Sequence, residues 1–507
     1  MDDLDAEKGD GARVEQRSPS PEERQDDLKM SVGQYLSTRI STLKPTFTIP
    51  PNPFKLLGML TRKNWLFFGV AMAGWTWDAF DFFTVSLTVT QLAAQFDKSN
   101  TDITWGITLV LMVRSVGAIT FGLASDRYGR KWPFIVNNVL FIVFELATGF
   151  CNTYSQFLAC RALFGIAMGG MYGNAVATAL EDCPPPARGI VSGILQMGYI
   201  LGYLLATAFA RALVDTTSHG WRPLFWFGAA IPVLIILYRL CLPETDAYIN
   251  RQKVRKSSER TMTLFFREIK FSLQSHWLVF VYMVLLTAGM NFQTHGTQDL
   301  YPLMLKSQFG FTANGVTITN VVANLGGFTG GITFGYLSEI FGRRATLMFT
   351  FIFAAALLYP YTFVTSRKTA APGFFEQFFI EGALGIIPIH LLELSPGSLR
   401  TFTVGTAYQL GNLASSASST IEAKIGERFP LPPTKTGLKR YNYGKVICIF
   451  AAACLAYNIV IVLIGPERKG VSLKVEDDVQ MKKAVGEDHL EQIIEGETNG
   501  HRGHEEK

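Results

Sequence analysis

Twelve stretches of this 507-residue chain are each apolar for close to the ~20 residues that a helix needs to cross a bilayer. They run over 65–91, 104–124, 132–151, 157–180, 189–213, 222–241, 277–303, 314–338, 345–364, 374–392, 400–422 and 444–464. Inside hydrocarbon no water satisfies backbone N–H and C=O groups, so only helices or a closed barrel can span it. The runs are too long for barrel strands and lack a two-residue alternation, which leaves helices. The expected fold class is an all-α membrane protein with twelve transmembrane helices. Charge placement agrees. Residues 1–60 hold 18 of the 87 Asp, Glu, Lys and Arg, and residues 466–507 another 18, leaving 51 for the 405 residues between. A chain polar at both ends and apolar between is neither a soluble multidomain protein nor disordered as a whole. A net charge of +5 gives no reason to expect nucleic acid or another polyanion as partner. The six cysteines (Cys151, Cys160, Cys183, Cys241, Cys448 and Cys454) form no CxxC pair and read as small buried hydrophobes, so neither metal nor cofactor is expected.

The first 60 residues contain no apolar core of about 7–15 residues and are not a cleaved signal peptide. They read as a disordered cytosolic tail, with the run from Trp65 acting as an uncleaved anchor. An even number of helices puts both tails on one side, and cations in the short loops choose which. Arg127, Arg130 and Lys131 follow the second segment, Arg251, Lys253, Arg255, Lys256 and Arg260 the sixth, and Arg343 and Arg344 the eighth. All share the face of the tails, which is therefore expected to be cytosolic. Residues 423–445 run against this rule, with Lys424, Arg428, Lys435, Lys439, Arg440 and Lys445 on the outer face. The topology stands because the first helices usually dominate orientation. The polar stretch after the sixth segment gives a domain plan: tail 1–60, six-helix bundle 61–242, cytosolic loop 243–275, six-helix bundle 276–465 and cytosolic tail 466–507.

An internal repeat matches that plan. Gly122-Leu-Ala-Ser-Asp126-Arg127-Tyr-Gly129-Arg130-Lys131 follows the second segment of the first half, and Gly335-Tyr-Leu-Ser-Glu339-Ile-Phe-Gly342-Arg343-Arg344 the second segment of the other. A small residue lets helices approach, an acid sits at a helix end, a glycine ends the helix, and arginines stay at the interface. With Arg161-x-x-x-Gly165 in segment 4, and Leu242-Pro-Glu-Thr245 and Gly465-Pro-Glu-Arg-Lys-Gly470 after segments 6 and 12, the chain resembles the major facilitator superfamily over about residues 65–470. The resemblance implies two six-helix bundles that rock about a binding site at mid-membrane.

Polar residues inside the membrane are costly and mark function. Segment 7 carries Asn291-Phe-Gln-Thr294-His295-Gly-Thr297-Gln298-Asp299. At 100° per residue Asn291, His295 and Asp299 recur one above another, and Thr294 and Gln298 fall beside them, an arc of about 140°. Such a stripe faces a cavity rather than lipid. Asn291, Thr294 and Gln298 can donate to a carboxylate, and His295 with Asp299 one turn away can hold or relay a proton. Thr297 lies off the stripe and is suited to bonding its own helix, although it belongs to the same signature. In segment 2, Arg114 stands ten residues from Thr104 and ten from Ala124, too deep to snorkel. A buried guanidinium is the natural partner of a substrate carboxylate, or of Asp78, Asp81 or Glu145 in a fixed ion pair. Asp78 and Asp81, three apart in segment 1, share a face and are open to proton coupling or to a structural role opposite Arg114. Gln409 in segment 11 can donate to substrate or serve helix packing. Arg161 is expected to be interfacial and structural, and His219, His276 and His390 interfacial. Glu145, Glu376 and Glu381 have no recognisable context.

The segment 7 stripe is similar to the signature of the fungal lactate/pyruvate permease family, as are Arg114-Ser-Val-Gly and Tyr408-Gln409-Leu-Gly-Asn412-Leu-Ala-Ser. That resemblance implies a plasma-membrane symporter of short monocarboxylates and protons, with a sister branch that takes dicarboxylates. Arg114, Asn291, Thr294, His295, Thr297, Gln298 and Gln409 would bind substrate. His295, Asp299, Asp78 and Asp81 would couple the proton. Gly122, Asp126, Arg127, Gly129, Arg130, Gly335, Glu339, Gly342 and Arg343 would gate. The family pattern continues to a threonine where this chain has Leu303, which bears on substrate preference. Rival readings are a dicarboxylate symporter and a non-transporting sensor signalling through its tails. The acidic, lysine-bearing tails suit turnover by ubiquitination and endocytosis. No GxSxG, HExxH or GxxxxGK[ST] sequence supports an enzyme.

Overall fold

The computed structural model describes residues 32–43, 50–256 apart from 215 and 217, 261–364, 370–432 apart from 427, 440–470, and 473. The long helices are α1 (Arg62–Leu87), α2 (Asn100–Tyr128), α3 (Lys131–Gly149), α4 (Tyr154–Gly169 continued by Met171–Leu180), α5 (Arg188–Gln196 continued by Gly198–Leu213), α6 (Arg222–Leu240), α7 (Thr261–Gln298), α8 (Ala313–Phe341), α9 (Arg343–Phe363), α10 (Ala370–Leu394), α11 (Arg400–Ser415) and α12 (Tyr443–Ile464). Nine helices among the described residues are long and apolar enough to cross a membrane on length and composition alone. Of the three outside that set, α11 is only 16 residues long, and α1 and α8 carry polar groups within the span, Asp78 and Asp81 and Asn320 and Asn324. Capping boxes fix three helix starts, Thr61 with Asn64, Ser99 with Asp102 and Thr153 with Gln156, each satisfying two orphan backbone donors. Leu234, Ile352 and Val460 lie exposed on the outer surface, and Trp105, Trp132 and Tyr359 stand exposed near helix ends, the pattern of a lipid belt with interfacial aromatics.

Several sequence expectations change here. Within the first 60 residues Val32–Ser41 and Pro53–Gly58 are helical, so disorder does not extend over that whole tail. The stretch 243–275 holds a helix, Asp246–Lys256, and the first turns of α7, because the polar lead-in to an apolar run can stay helical outside hydrocarbon. In the expected outer loop, Pro430 and Leu431 pair antiparallel with Tyr441 and Arg440. Residues 1–31 and 474–507, Arg260 and Lys435 and Lys439 lie outside the described residues, and with them the turnover signals expected of the tails.

The segment Val32–Ser41 docks on the second half. Tyr35 donates to the Ile464 carbonyl at the end of α12 (3.2 Å), and Arg344 at the start of α9 donates to Thr42 Oγ1 (2.9 Å) and the Arg39 carbonyl (3.2 Å). The two six-helix halves meet through α2 against α11 and α5 against α8. Hydrogen bonds joining them cluster at the end where α1 begins, termed the tail side: Gly189 N to Glu339 (2.8 Å), Phe402 N to Asp126 (2.9 Å) and Ser192 Oγ to the Gly385 carbonyl (2.9 Å). Close approach of α5 and α8 needs glycine. A Cβ at Gly193 would strike the Gly331 carbonyl, and one at Gly335 would lie 2.9 Å from Gly193 Cα. The molecule is thus closed at its tail side.

Candidate functional site

Helix directions place a layered site between the halves. On its tail side lies an aromatic floor. Tyr172 of α4 stacks on Tyr408 of α11 across the halves (centroids 3.8 Å, planes 16° apart), and Trp75 of α1 packs against Tyr172 (5.0 Å) and Tyr199 of α5 (5.6 Å). Such rings bury large area and meet with defined geometry, so they hold the halves in register.

Above the floor the first half presents ions. Arg114, 2% exposed, gives Nη2 to Asp78 Oδ2 at 3.1 Å and lies 5.2 Å over the Phe82 ring. Of the three acids open to Arg114 from the sequence, Asp78 holds it. Asp81 lies one turn further out, fully buried, and accepts no hydrogen bond from protein groups among the described residues. Gly228 of α6 makes room for it, since a Cβ there would stand 2.6 Å from Asp81 Oδ1. Its neighbours are Glu145 and Arg161, which pair at 3.0 Å, with Thr84 donating to Glu145 at 3.2 Å. Arg161, expected at an interface, is 1% exposed: its partner Glu145 draws it inside.

The second half presents the α7 stripe. His295 Nδ1 lies 3.3 Å from Asp299 Oδ1, both side chains partly exposed (24% and 30%). His295 is also within electrostatic reach of Glu381 and Arg114. Gln298 Nε2 donates to Gln377 Oε1 (2.9 Å) and Glu381 Oε1 (2.7 Å), both on α10. Asn291 and Thr294 bond back to the Thr287 and Met290 carbonyls. Thr297, expected to bind substrate, makes packing contacts here. It is buried, its hydroxyl donates to the Gln293 carbonyl (3.0 Å), and its own carbonyl accepts from Tyr361 of α9 (2.6 Å). Gln409 is buried on α11, with Asn412 donating to its Oε1 (2.9 Å) and Nε2 left without a protein acceptor among the described residues. His390 is corrected: it is wholly buried near Tyr282 rather than interfacial. The arrangement brings the Arg114 guanidinium, several amides and a partly exposed histidine–carboxylate pair to the region between the halves. That set can bind a small anion and exchange protons.

The repeated motif residues form two matched sets of contacts on the tail side. Gly129 (φ 94°) ends α2 and Gly342 (φ 92°) ends α8, both in a left-handed region that favours glycine. Asp126 accepts from Thr401 N and Phe402 N at the start of α11, and Glu339 accepts from Gly189 N at the start of α5. Each acid thus sits on the positive end of a helix in the other half. Gly122 packs directly against the Phe402 backbone. Arg130 reaches Glu181 (2.7 and 3.1 Å), and Arg343 reaches Glu393 (2.9 and 3.0 Å) and Glu339 (2.7 Å). Arg127 instead lies over the Phe265 ring and offers its carbonyl to Tyr248.

Glu181 and Glu393 were not picked out from the sequence, yet a signal was there. Glu181-Asp-Cys-Pro184-x-x-x-Arg188 and Glu393-Leu-Ser-Pro396-x-x-x-Arg400 repeat between halves after α4 and α10. Burial alone would raise the Glu181 carboxyl, but Arg130, Arg251 and Arg400 outweigh it and hold it at about 2. A carboxyl depressed in the folded state stabilises fully above its unfolded value of 4.5, and the contribution is lost progressively as pH falls from there through about 2. At neutral pH it is fully present. Glu181→Gln should therefore lower the melting point of the solubilised protein at neutral pH, by the ~3–5 kcal/mol that breaking a buried pair costs. An unchanged melting curve would show that pair to be energetically idle.

The family model described as "Sugar (and other) transporter" matches residues 63–478. A carboxylic acid transporter protein homolog of Saccharomyces cerevisiae is 38% identical over 457 residues, 86% of this chain and 74% of the relative. A cis,cis-muconate transport protein of Acinetobacter baylyi is 28% identical over 348 residues, 68% of this chain and 83% of the relative. In structure, the major facilitator superfamily proton:xylose symporter XylE superposes with a TM-score of 0.66 at 17% identity, over 82% of this chain and 99% of that one.

Proposed function

We propose that this chain, which belongs to the sugar (and other) transporter family and has the major facilitator fold, imports short-chain monocarboxylates together with protons across the plasma membrane. It is a membrane-spanning transporter of carboxylates and not an enzyme. Lactate and pyruvate are the substrates put forward, with acetate and propionate next, and both termini are placed in the cytosol. The observation that carries the reading is Arg114, buried between the halves and held by a carboxylate one proton can neutralise. In the cycle, the site facing outward takes a proton at His295 and Asp299, or at Asp78 and Asp81. Arg114, Gln298 and Gln409 then bind the carboxylate, the halves rock, and both ligands leave into a less acidic cytosol. A dicarboxylate needs a second cationic or donor group beside Arg114, which the monocarboxylate reading does not require.

The test is uptake of labelled lactate at roughly pH 5, where protonation of such groups is favoured, in cells lacking their own carboxylate carriers. Uptake should collapse with an uncoupler and yield to unlabelled pyruvate and acetate. Competition by succinate and malate would move the assignment to dicarboxylates, and no uptake from protein at the cell surface would overturn it. His295→Ala should flatten the pH profile of uptake or abolish it, whereas an unchanged profile would assign the proton to Asp78 and Asp81 of α1.

A further inference from the structure

The mechanism above makes no use of Glu381, although it lies at the centre of the site. It is 7% exposed, midway along α10, and its Oε1 accepts from Gln298 Nε2 at 2.7 Å. The same amide nitrogen also serves Gln377 Oε1 at 2.9 Å, so its hydrogens are directed at α10. Elements around Glu381 leave the carboxylate without a cation of its own. From α7 it faces His295, with Asp299 behind it; from α5, Tyr199; from α11, Tyr408. From α8 Gly327 packs on it, where a Cβ would stand 2.8 Å from Glu381 Cγ.

We propose that Glu381 is a proton-binding residue of the central site, and that its protonation releases the Gln298 amide to the substrate carboxylate. The inference rests on the carboxylate-transport reading. A hydrogen bond to an ionised carboxylate is roughly twice as strong as one between neutral groups. While Glu381 is charged, the Gln298 amide is committed to it, and the negative charge repels an incoming anion. A proton from the outer solution removes both obstacles. The amide then finds its better acceptor in the substrate carboxylate, and the Glu381 O–H becomes a further donor. Loss of the proton on the inner side reverses both changes and expels the anion. Proton and substrate are coupled because the Glu381 carboxylate and the substrate carboxylate compete for one amide, and a proton on Glu381 removes it from that competition.

The experiment is apparent KM for labelled lactate in whole cells at roughly pH 5 and pH 7.5, a span across which perturbed carboxyls and histidines titrate. In the native chain KM should rise with pH. Glu381→Gln, permanently neutral, should bind at the higher pH about tenfold more tightly than native, the value of one charge-assisted hydrogen bond, and its KM should change less with pH. Gln298→Ala, which lacks the amide, should show at the lower pH a KM raised to near the native value at the higher. A steepness of KM with pH that matches native in Glu381→Gln overturns the proposal, as does a full acid gain of affinity in Gln298→Ala if Glu381→Gln fails to reach the surface. Absence of uptake by the native chain at either pH overturns the transport reading on which the proposal stands, and is thereby distinguished from failure of Glu381 alone.

Discussion

Arg114→Lys should leave the protein at the cell surface and remove most of its uptake. Lysine keeps the charge but not the planar fork, and a point charge on a flexible stem cannot hold Asp78 and a carboxylate in fixed geometry. Arg114 is 2% exposed and sits 3.1 Å from Asp78, so its replacement leaves partners buried without matched donors. Truncating one member of a buried, hydrogen-bonded charge pair costs ~2–5 kcal/mol, which in binding is roughly 30-fold to several thousandfold. Surface labelling separates loss of transport from loss of folding. Normal uptake by the variant would remove Arg114 from the site, and with it the main support for an anion substrate. A variant that transports but no longer responds to pH would assign the guanidinium to proton coupling alone.

The second large effect concerns movement rather than binding. Gly193→Leu should stop the halves from closing on the tail side. The α5 and α8 backbones touch at Gly189 and Gly193 against Gly331 and Gly335, with the Gly331 carbonyl where a side chain at 193 would begin. No rotamer avoids a clash with backbone. Overpacking of this kind costs ~1–3 kcal/mol against the state that contains it, which shifts a two-state equilibrium by roughly 5- to 150-fold. Uptake should fall accordingly. A cysteine placed at Ser192, buried in the closed joint where Ser192 bonds the Gly385 carbonyl, should react faster from the tail side when Gly193→Leu is present than without it. Native uptake together with an unreactive cysteine would show that the joint does not open there.

Much of this was legible in the sequence for a physical reason. Hydrocarbon permits only internally bonded helices, so apolar run length located the spans, and a duplicated motif divided them six and six. Helix periodicity placed Asn291, His295 and Asp299 on one face, and it also put Thr297 off that face, where its hydroxyl does bond its own helix. The start of α7 at Thr261 was hidden, because hydropathy sees the apolar run from 277 and not the helix that leads into it. Partners of buried charges were hidden too. Asp78, Asp81 and Glu145 were equivalent suitors for Arg114 until three dimensions chose among them. Glu381 had no context because the group that gives it meaning, Gln298, lies 83 positions earlier. Glu181 and Glu393 are a different case, since their shared spacing to Pro184 and Arg188, and to Pro396 and Arg400, was visible all along.

The strap formed by Val32–Ser41 has a consequence in time. Its anchors, Arg344 on α9 and the Ile464 carbonyl at the end of α12, follow Thr42 and Tyr35 by 302 and 429 positions. The segment is therefore synthesised well before either anchor and can reach both only after α9 and α12 have been made and inserted. A nascent chain truncated between α9 and α12 keeps Arg344 for Thr42 and the Arg39 carbonyl but lacks the Ile464 carbonyl that receives Tyr35, so its segment is held at one end only.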